Sequence, residues 1–159
     1  MSNPAVSVVI PAFNVSLFIT ETIESVFRQS FTDFEVIIVN DGSPDTVELE
    51  RVLSPYLGRV QYLRRANGGP SIARNDGIRC AQGEYIAFLD GDDCWEPAFL
   101  EWAIGKSLRE SLHVAYCDSR FFGDLLLPGE TVMQTHPSTG PCSLEALIQS
   151  TCSLCTSTT

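Results

Sequence analysis

Residues 85–93 read YIAFLDGDD, an apolar run of five residues followed at once by three carboxylates in four positions. A nearly continuous apolar run of this length is typical of a parallel β-strand that is covered on both faces. Residues 6–10 (VSVVI) and 34–39 (FEVIIV) have the same character, and residues 60–63 (VQYL) form a weaker run. We therefore predict parallel β-strands at these four positions.

The segments between the strands have helical periodicity. Apolar residues recur every three or four positions over residues 17–29, 45–57 and 69–82, and residues 96–112 follow the last strand in the same way. Ser16 is a candidate N-cap for the first helix, and Pro97 suits the first turn of the fourth. This alternation predicts an α/β fold with a mostly parallel, doubly wound sheet flanked by helices and right-handed crossovers.

The pattern changes after residue 112. We predict a further strand over residues 113–118, a hairpin within residues 119–133 and a short helix over residues 143–149. Residues 1–118 are then an α/β domain, and residues 119–159 are the incomplete start of another region. The last ten residues are rich in Ser, Thr and Cys and add no closing element, so we expect the chain to be truncated.

Composition excludes several classes of protein. With 159 residues, 44% hydrophobic and 19% charged, the chain has the composition of one globular domain. A net charge of −10 argues against a nucleic-acid or anionic-membrane partner. There is no membrane-spanning run and no basic n-region of a signal peptide. The six cysteines form no disulfide framework, and the single CxxC at Cys152 and Cys155 lacks the second pair of a structural zinc site. We expect reduced thiols and a cytoplasmic location.

Polar or glycine-rich residues follow every predicted strand. They are Pro11-Ala12-Phe13-Asn14, Asn40-Asp41-Gly42-Ser43, Asn67-Gly68-Gly69 and Asp90-Gly91-Asp92-Asp93. Each loop alone is ordinary turn chemistry. In an open α/β sheet, however, ligands bind outside the carboxyl ends of the strands. Four such loops at one edge therefore predict a binding site.

The acidic loop points to a divalent cation. Carboxylates this close in sequence repel one another unless a cation joins them. Carboxylate oxygens suit Mg²⁺ or Mn²⁺, which would complete its shell with phosphates and water. The alternative is a solvated acidic turn that caps the next helix. If the ligand carries phosphates, a metal would also neutralise them in so acidic a protein.

Three further positions allow a ligand or a structural interpretation. Asp41 can accept a hydrogen bond from a base or a ribose, or can simply shape a turn. Arg74, one turn into the third helix, can contact phosphate oxygens or form a surface ion pair. His113 and His136 lie outside the loop set and are interpreted as structural or solvated. The sequence contains no GxGxxG, P-loop or GxSxG motif.

These motifs together resemble the family 2 glycosyltransferases of the GT-A fold over roughly residues 5–100. The similar stretches are residues 6–14, 25–29, 34–43, 67–75 and 83–93, the last of which looks like the DXD strand of that family. The resemblance implies inverting transfer of a sugar from a nucleoside-diphosphate donor, UDP- or dTDP-linked, with Mn²⁺ or Mg²⁺. It implies nucleotide-binding roles for Pro11, Phe13, Asn14, Asp41, Asn67, Gly68, Arg74 and Asp90, and metal-binding roles for Asp92 and Asp93.

The resemblance also defines what this chain lacks. Family members use a catalytic carboxylate well downstream of the DXD motif, and neither Asp118 nor Asp124 matches it. We therefore expect no catalytic residue in this chain, which would be the inactive donor-binding fragment of a hexosyltransferase-type enzyme. The acceptor stays open: a saccharide, a lipid-linked glycan or a cell-envelope polymer, the last two compatible with a full-length protein at the inner face of the membrane. The alternatives are a non-catalytic nucleotide-sugar-binding module and, less well supported, a Mg²⁺-dependent phosphotransferase.

Overall fold

The computed structural model describes residues 3–115, 117–120, 131 and 134. The elements are β1 (Val6–Ala12), α1 (Ile19–Phe27), β2 (Phe34–Asp41), α2 (Thr46–Leu53), a 3-10 helix (Ser54–Tyr56), β3 (Gln61–Arg65), α3 (Pro70–Cys80), β4 (Tyr85–Phe88) and α4 (Phe99–Glu110). The chain divides into two compact units, residues 1–104 and 105–158, and the sheet belongs to the first. The domain boundary that we predict at residue 118 stays a prediction.

The four strands form one parallel sheet in the order β3-β2-β1-β4, which confirms the predicted α/β class. Strand β1 lies between β2 and β4, with Val6 opposite both Phe34 and Tyr85. The order of strands reverses at β1, because β2 and β3 extend to one side and β4 to the other. Open α/β sheets bind their ligands at such a switch point.

The core has one layer on each face of the sheet. On one face Val8 and Ile10 pack with Ile38 of β2 and Ile23 of α1, together with Leu49 of α2. The other face carries a smaller cluster, in which Val9, Ile37 and Val39 pack against Ala73 of α3. Both faces of β1 and β2 are covered, as the continuous apolar runs predict.

Strand β4 departs from that prediction. Its four residues are half-buried or exposed, and the Phe88 side chain is 43% exposed. Within the described residues β4 is the last strand on its side of the sheet. An apolar sequence does not distinguish an outer strand from an inner one.

Two predicted helix starts are wrong. Helix α1 begins at Ile19 after Phe18, without a side-chain cap. Ser16 lies before the helix, and its N–H donates to the Asp45 carboxylate at 2.8 Å. Helix α4 begins at Phe99. Pro97 lies before it, and its carbonyl accepts a hydrogen bond from the Ser30 N–H at 2.8 Å. Long-range hydrogen bonds decide both boundaries.

The region after α4 agrees only in part with the sequence. Residues 113–115, 117 and 118 are not in a strand, which contradicts the strand predicted there. An isolated antiparallel bridge joins Arg120 to Thr131, as a hairpin would require. The helix predicted over residues 143–149, His136 and Cys152 lie outside the described residues. In the described part of the chain, the helices are too short or too polar to cross a membrane.

Candidate functional site

A cleft of about 450 Å³ opens at the carboxyl ends of the strands. Its lining includes the predicted residues Pro11, Phe13, Asp41, Asn67, Arg74, Asp90 and Asp92. The other predicted site residues, Asn14, Gly68 and Asp93, lie in the same loops but do not line the cleft. Sequence reasoning named Ala12, Gly69 and Gly91 only as members of these loops, without a role in the site, and it missed the lining residues Val15 and Pro70. All five are apolar or small and carry no chemical signal of their own.

Hydrogen bonds tie the loop after β1 to the loop after β2. Asn14 adopts a left-handed backbone conformation, with φ of 56°, that asparagine tolerates better than most residues. Its N–H donates to the Ser43 hydroxyl oxygen at 2.6 Å. The Ser43 hydroxyl in turn donates to the Asp45 carboxylate, which also accepts from the Ser16 N–H. The Asn14 backbone therefore joins the two loops.

Opposing effects set the pKa of Asp45. Burial acts to raise the pKa, but the hydrogen bonds from Ser43 and Ser16 outweigh it and hold the pKa below its usual value. The carboxylate therefore stays ionised as an acceptor for both loops.

Asn40 organises the loop after β2 from inside. Its buried side-chain amide donates to the hydroxyl oxygens of Thr46, at 2.9 Å, and Tyr62, at 2.8 Å. Its Oδ1 accepts the Ser43 N–H at 2.9 Å. An ionised aspartate has no donors for these hydroxyls. These contacts account for an amide at this position.

Asp41 has the most crowded carboxylate in the site. Its side chain is 4% exposed. Oδ1 accepts hydrogen bonds from the Arg65 guanidinium and from the Gly68 N–H at 3.0 Å, while Oδ2 accepts the Gly69 N–H at 2.7 Å. An ionised carboxylate offers about four acceptor positions. Within the described residues three are used, so one position on Oδ2 is left for a ligand.

Gly42 lets these two loops meet. Its φ is +65°, and an added Cβ would lie 2.5 Å from the backbone nitrogen of Asn67. Only glycine combines this conformation with so close an approach. The Asn67 side chain then donates to the Asp41 carbonyl at 3.0 Å, and the loop after β3 is thereby fastened to the end of β2.

Arg74 and Asp90 form an ion pair across the cleft wall. The Arg74 guanidinium donates to Asp90 Oδ1 at 2.5 Å, and each side chain is 24% exposed. Both residues line the cleft. The partner of Arg74 is therefore a carboxylate of the acidic loop itself, and the guanidinium lies beside that loop.

Burial and mutual repulsion act together on the carboxylates of the acidic loop. Burial, followed by repulsion from Asp90, raises the pKa of Asp92. Burial and repulsion from Asp92 and Asp90 raise the pKa of Asp93 to about 7. Within the described residues no donor reaches the buried Oδ2 of Asp93. A cation would relieve both the repulsion and the missing contact.

The protein alone would not enclose such an ion. Among the described residues no group of three or more His, Cys, Asp and Glu side chains is arranged to hold a metal. Mg²⁺ commonly takes one or two carboxylates and completes its shell with phosphates and water. The donor set around Asp92 fits that pattern.

Comparison with known proteins identifies relatives of this chain. The family model for "Glycosyl transferase family 2" matches residues 7–143. An uncharacterized glycosyltransferase of Bacillus subtilis (strain 168), EpsJ, is 40% identical over 72% of this chain and 33% of its own length. A second, YibD of Escherichia coli (strain K12), is 36% identical over 88% of this chain and 43% of its own length. The chain thus spans less than half of the length of either relative.

Solved structures agree with the fold. The crystal structure of Staphylococcus aureus TarS 1–349 superposes with a TM-score of 0.60 at 29% identity, covering 67% of this chain and 33% of that one. The structure of TarS 1–349 in complex with UDP-GlcNAc gives a TM-score of 0.58 at 29% identity, over 67% of this chain and 32% of that chain. The sheet and its flanking helices are therefore those of the GT-A fold.

Proposed function

The chain belongs to glycosyl transferase family 2, and on this premise we propose that its cleft binds the nucleotide of a UDP- or dTDP-linked sugar. The observation that carries the proposal is the convergence of polar side chains from four strand-end loops on one cleft. The complex of TarS with UDP-GlcNAc supports a nucleotide-sugar ligand. In this proposal the chain forms the donor side of a site for inverting sugar transfer.

The nucleoside would lie at the β1 and β2 side of the cleft. Phe13 is 49% exposed and lines the cleft, which leaves an aromatic face for packing against a base. The remaining acceptor position on Asp41 suits a base N–H. Pro11 and Asn67 complete this part of the lining. We assign base recognition to Asp41 and packing to Phe13.

The diphosphate would lie at the β4 side. Arg74 offers a guanidinium fork to phosphate oxygens. In this assignment Asp90, the ion-pair partner of Arg74, lies close to a ribose hydroxyl. A Mn²⁺ or Mg²⁺ ion held by Asp92, with Asp93 beside it, would supply Lewis-acid stabilisation of the leaving diphosphate. Arg74 would bring positive charge to the same end of the donor.

The acceptor side is proposed only in outline. Inversion requires a base that deprotonates the acceptor hydroxyl, and we propose that it lies in a region homologous to the longer part of the relatives. By this proposal the 159-residue chain alone binds the donor but transfers little sugar. A non-catalytic binding module is the second candidate, because the cleft-lining carboxylates described here already have donor-side roles.

The proposed location is the cytoplasm. Among the described residues Cys80 and Cys94 are free thiols, as in proteins of reducing compartments. If the acceptor is a lipid-linked glycan, the full-length enzyme would work at the inner face of the membrane.

Calorimetric titration with UDP tests the proposal. Wild type should bind UDP more tightly with Mn²⁺ or Mg²⁺ than with chelator. Asp92→Ala should lose that difference, whereas Glu48→Ala, a matched loss of an exposed carboxylate on α2, should behave as wild type. No binding of UDP, dTDP or GDP under any of these conditions would refute the nucleotide site. Equal metal-dependent binding by Asp92→Ala would refute the metal assignment.

Sugar transfer is tested separately. A panel of UDP-, dTDP- and GDP-linked sugars, compared by thermal shift, would identify the donor. Hydrolysis and transfer assays with the same panel should give little turnover. Efficient transfer by this chain would contradict a base outside it, and binding without transfer by the full-length protein would favour the binding module.

A further inference from the structure

A chain of alternating charges runs from the cleft to the surface of α3. Arg65 bonds to Asp41 and also donates through Nε to Asp76 at 2.8 Å. Asp76 also pairs with Arg79 on α3. The Arg65 side chain is 22% exposed, against 67% for that of Arg79. The order is therefore Asp41, Arg65, Asp76 and Arg79, from inside to outside.

The sheet itself fixes the position of Arg65. Arg65 is the last residue of β3 and the register partner of Asp41, the last residue of β2. Opposite charges at paired positions of neighbouring strands attract each other. The guanidinium also packs closely against Gly68, because a Cβ added at Gly68 would lie 2.5 Å from the Arg65 Nη1 atom.

Arg65 reaches Asp41 without entering the cleft. Asp41, Asn67 and Gly69 line the cleft, whereas Arg65 does not. The guanidinium therefore contacts Oδ1, and the acceptor position left for a ligand is on Oδ2. The hydrogen bond with Asp41 raises the pKa of Arg65 further, so its charge persists at every working pH.

We propose that Arg65 is a positioning residue that gives the site its choice of base, by fixing the orientation of the Asp41 carboxylate so that Oδ2 can accept a hydrogen bond from the base. This inference rests on the proposed nucleotide site. A carboxylate fixed in this way accepts the N3–H of uracil or thymine. Cytosine presents an acceptor at N3 and would face the carboxylate without a hydrogen. The positive charge of Arg65 also offsets the negative charge of Asp41 near an anionic ligand.

The test compares UDP with CDP by calorimetry in the presence of Mn²⁺. Wild type should favour UDP. Arg65→Gln should weaken UDP binding by about tenfold, the order expected for losing a charge-assisted contact, and change CDP binding much less. Arg65→Lys keeps the charge but not the fork, and should recover part of the selectivity. Arg79→Gln, which removes only the outermost charge, should match wild type.

Gly68→Ala provides a second route to the same end. The added methyl must displace the Arg65 guanidinium. The ratio of UDP affinity to CDP affinity of the Gly68→Ala variant should therefore fall as it does in Arg65→Gln, and this variant still tests the inference if Arg65→Gln folds poorly. Circular dichroism and melting temperatures control for folding. Wild-type selectivity in folded Arg65→Gln or in Gly68→Ala overturns the inference, as does a wild type that binds UDP and CDP equally. A wild type that binds neither of these nucleotides, nor dTDP or GDP, instead refutes the proposed nucleotide site.

Discussion

Replacing Asp41 with asparagine keeps the shape of the side chain but removes one acceptor atom. If the amide oxygen takes the place of Oδ1, it still accepts from Arg65 and Gly68. The amide NH₂ then faces the Gly69 N–H, which now lies 2.7 Å from Oδ2. The opposite orientation is worse, because the NH₂ group faces two donors. At least one donor is left without an acceptor in either orientation.

The size of the effect follows from these contacts. A buried donor without a partner costs about 1–3 kcal/mol, and a hydrogen bond to a charged group contributes about 1.5–3 kcal/mol. Because Arg65 keeps Asp76 as a partner, the loss is smaller than for breaking an isolated buried pair. We expect Asp41→Asn to lower the free energy of unfolding by about 3 kcal/mol, and the melting temperature by about 6–12 °C.

Urea denaturation followed by tryptophan fluorescence and circular dichroism measures the change. Glu48→Gln is the matched control, because it neutralises a carboxylate whose ion pair with Arg51 is exposed, and it should unfold as wild type does. If Asp41→Asn unfolds within about 0.5 kcal/mol of wild type, the typical range for surface changes, then the hydrogen bonds at Asp41 do not hold the two loops together.

Three other predictions concern Gly42, Asp45 and Arg74. Gly42→Ala should cost about 2 kcal/mol or more in a thermal melt, since φ is +65° and Asn67 leaves no room, whereas Gly58→Ala, with open space around it, should not. The pKa of the Asp45 carboxyl is lower in the folded protein than in the unfolded chain. The stability that this carboxylate gives to the folded protein is therefore complete above the unfolded pKa and is lost as the pH falls through the folded pKa. The free energy of unfolding, measured as the pH is lowered, should show that loss below about pH 4 in wild type but not in Asp45→Asn. An identical pH dependence in the two proteins would contradict this role of Asp45. Arg74→Gln should weaken UDP binding by about tenfold and leave uridine binding unchanged, and an equal effect on both ligands would exclude a phosphate contact.

The sheet could be predicted from sequence because its signals are local. Continuous apolar runs gave all four strands to within about two residues, and periodicity gave the four helices. The helix ends failed at Ser16 and Pro97, where the deciding partners are Asp45, which lies 29 residues from Ser16, and Ser30. No local pattern contains that information.

The site was predictable in outline and not in its internal contacts. Strand-end position indicated the loops that meet at the cleft, since parallel strands deliver their carboxyl ends to one edge. Arg65 went unnoticed because its relation to Asp41 depends on the register of β2 against β3. The family resemblance assigns Asn14 to the nucleotide pocket, which stays a prediction, but it gives no sign of the hydrogen bond from the Asn14 backbone N–H to Ser43.

The hydrogen bonds between the loops have a kinetic consequence. The N–H groups of Asn14 and Ser16 have their acceptors within the protein, in Ser43 and Asp45, so these contacts hold the loops without a contribution from a ligand. The entropic cost of association is correspondingly small, and free and bound backbones should superpose within about 1 Å in this region. Substitutions in the cleft should therefore alter the dissociation rate far more than the association rate.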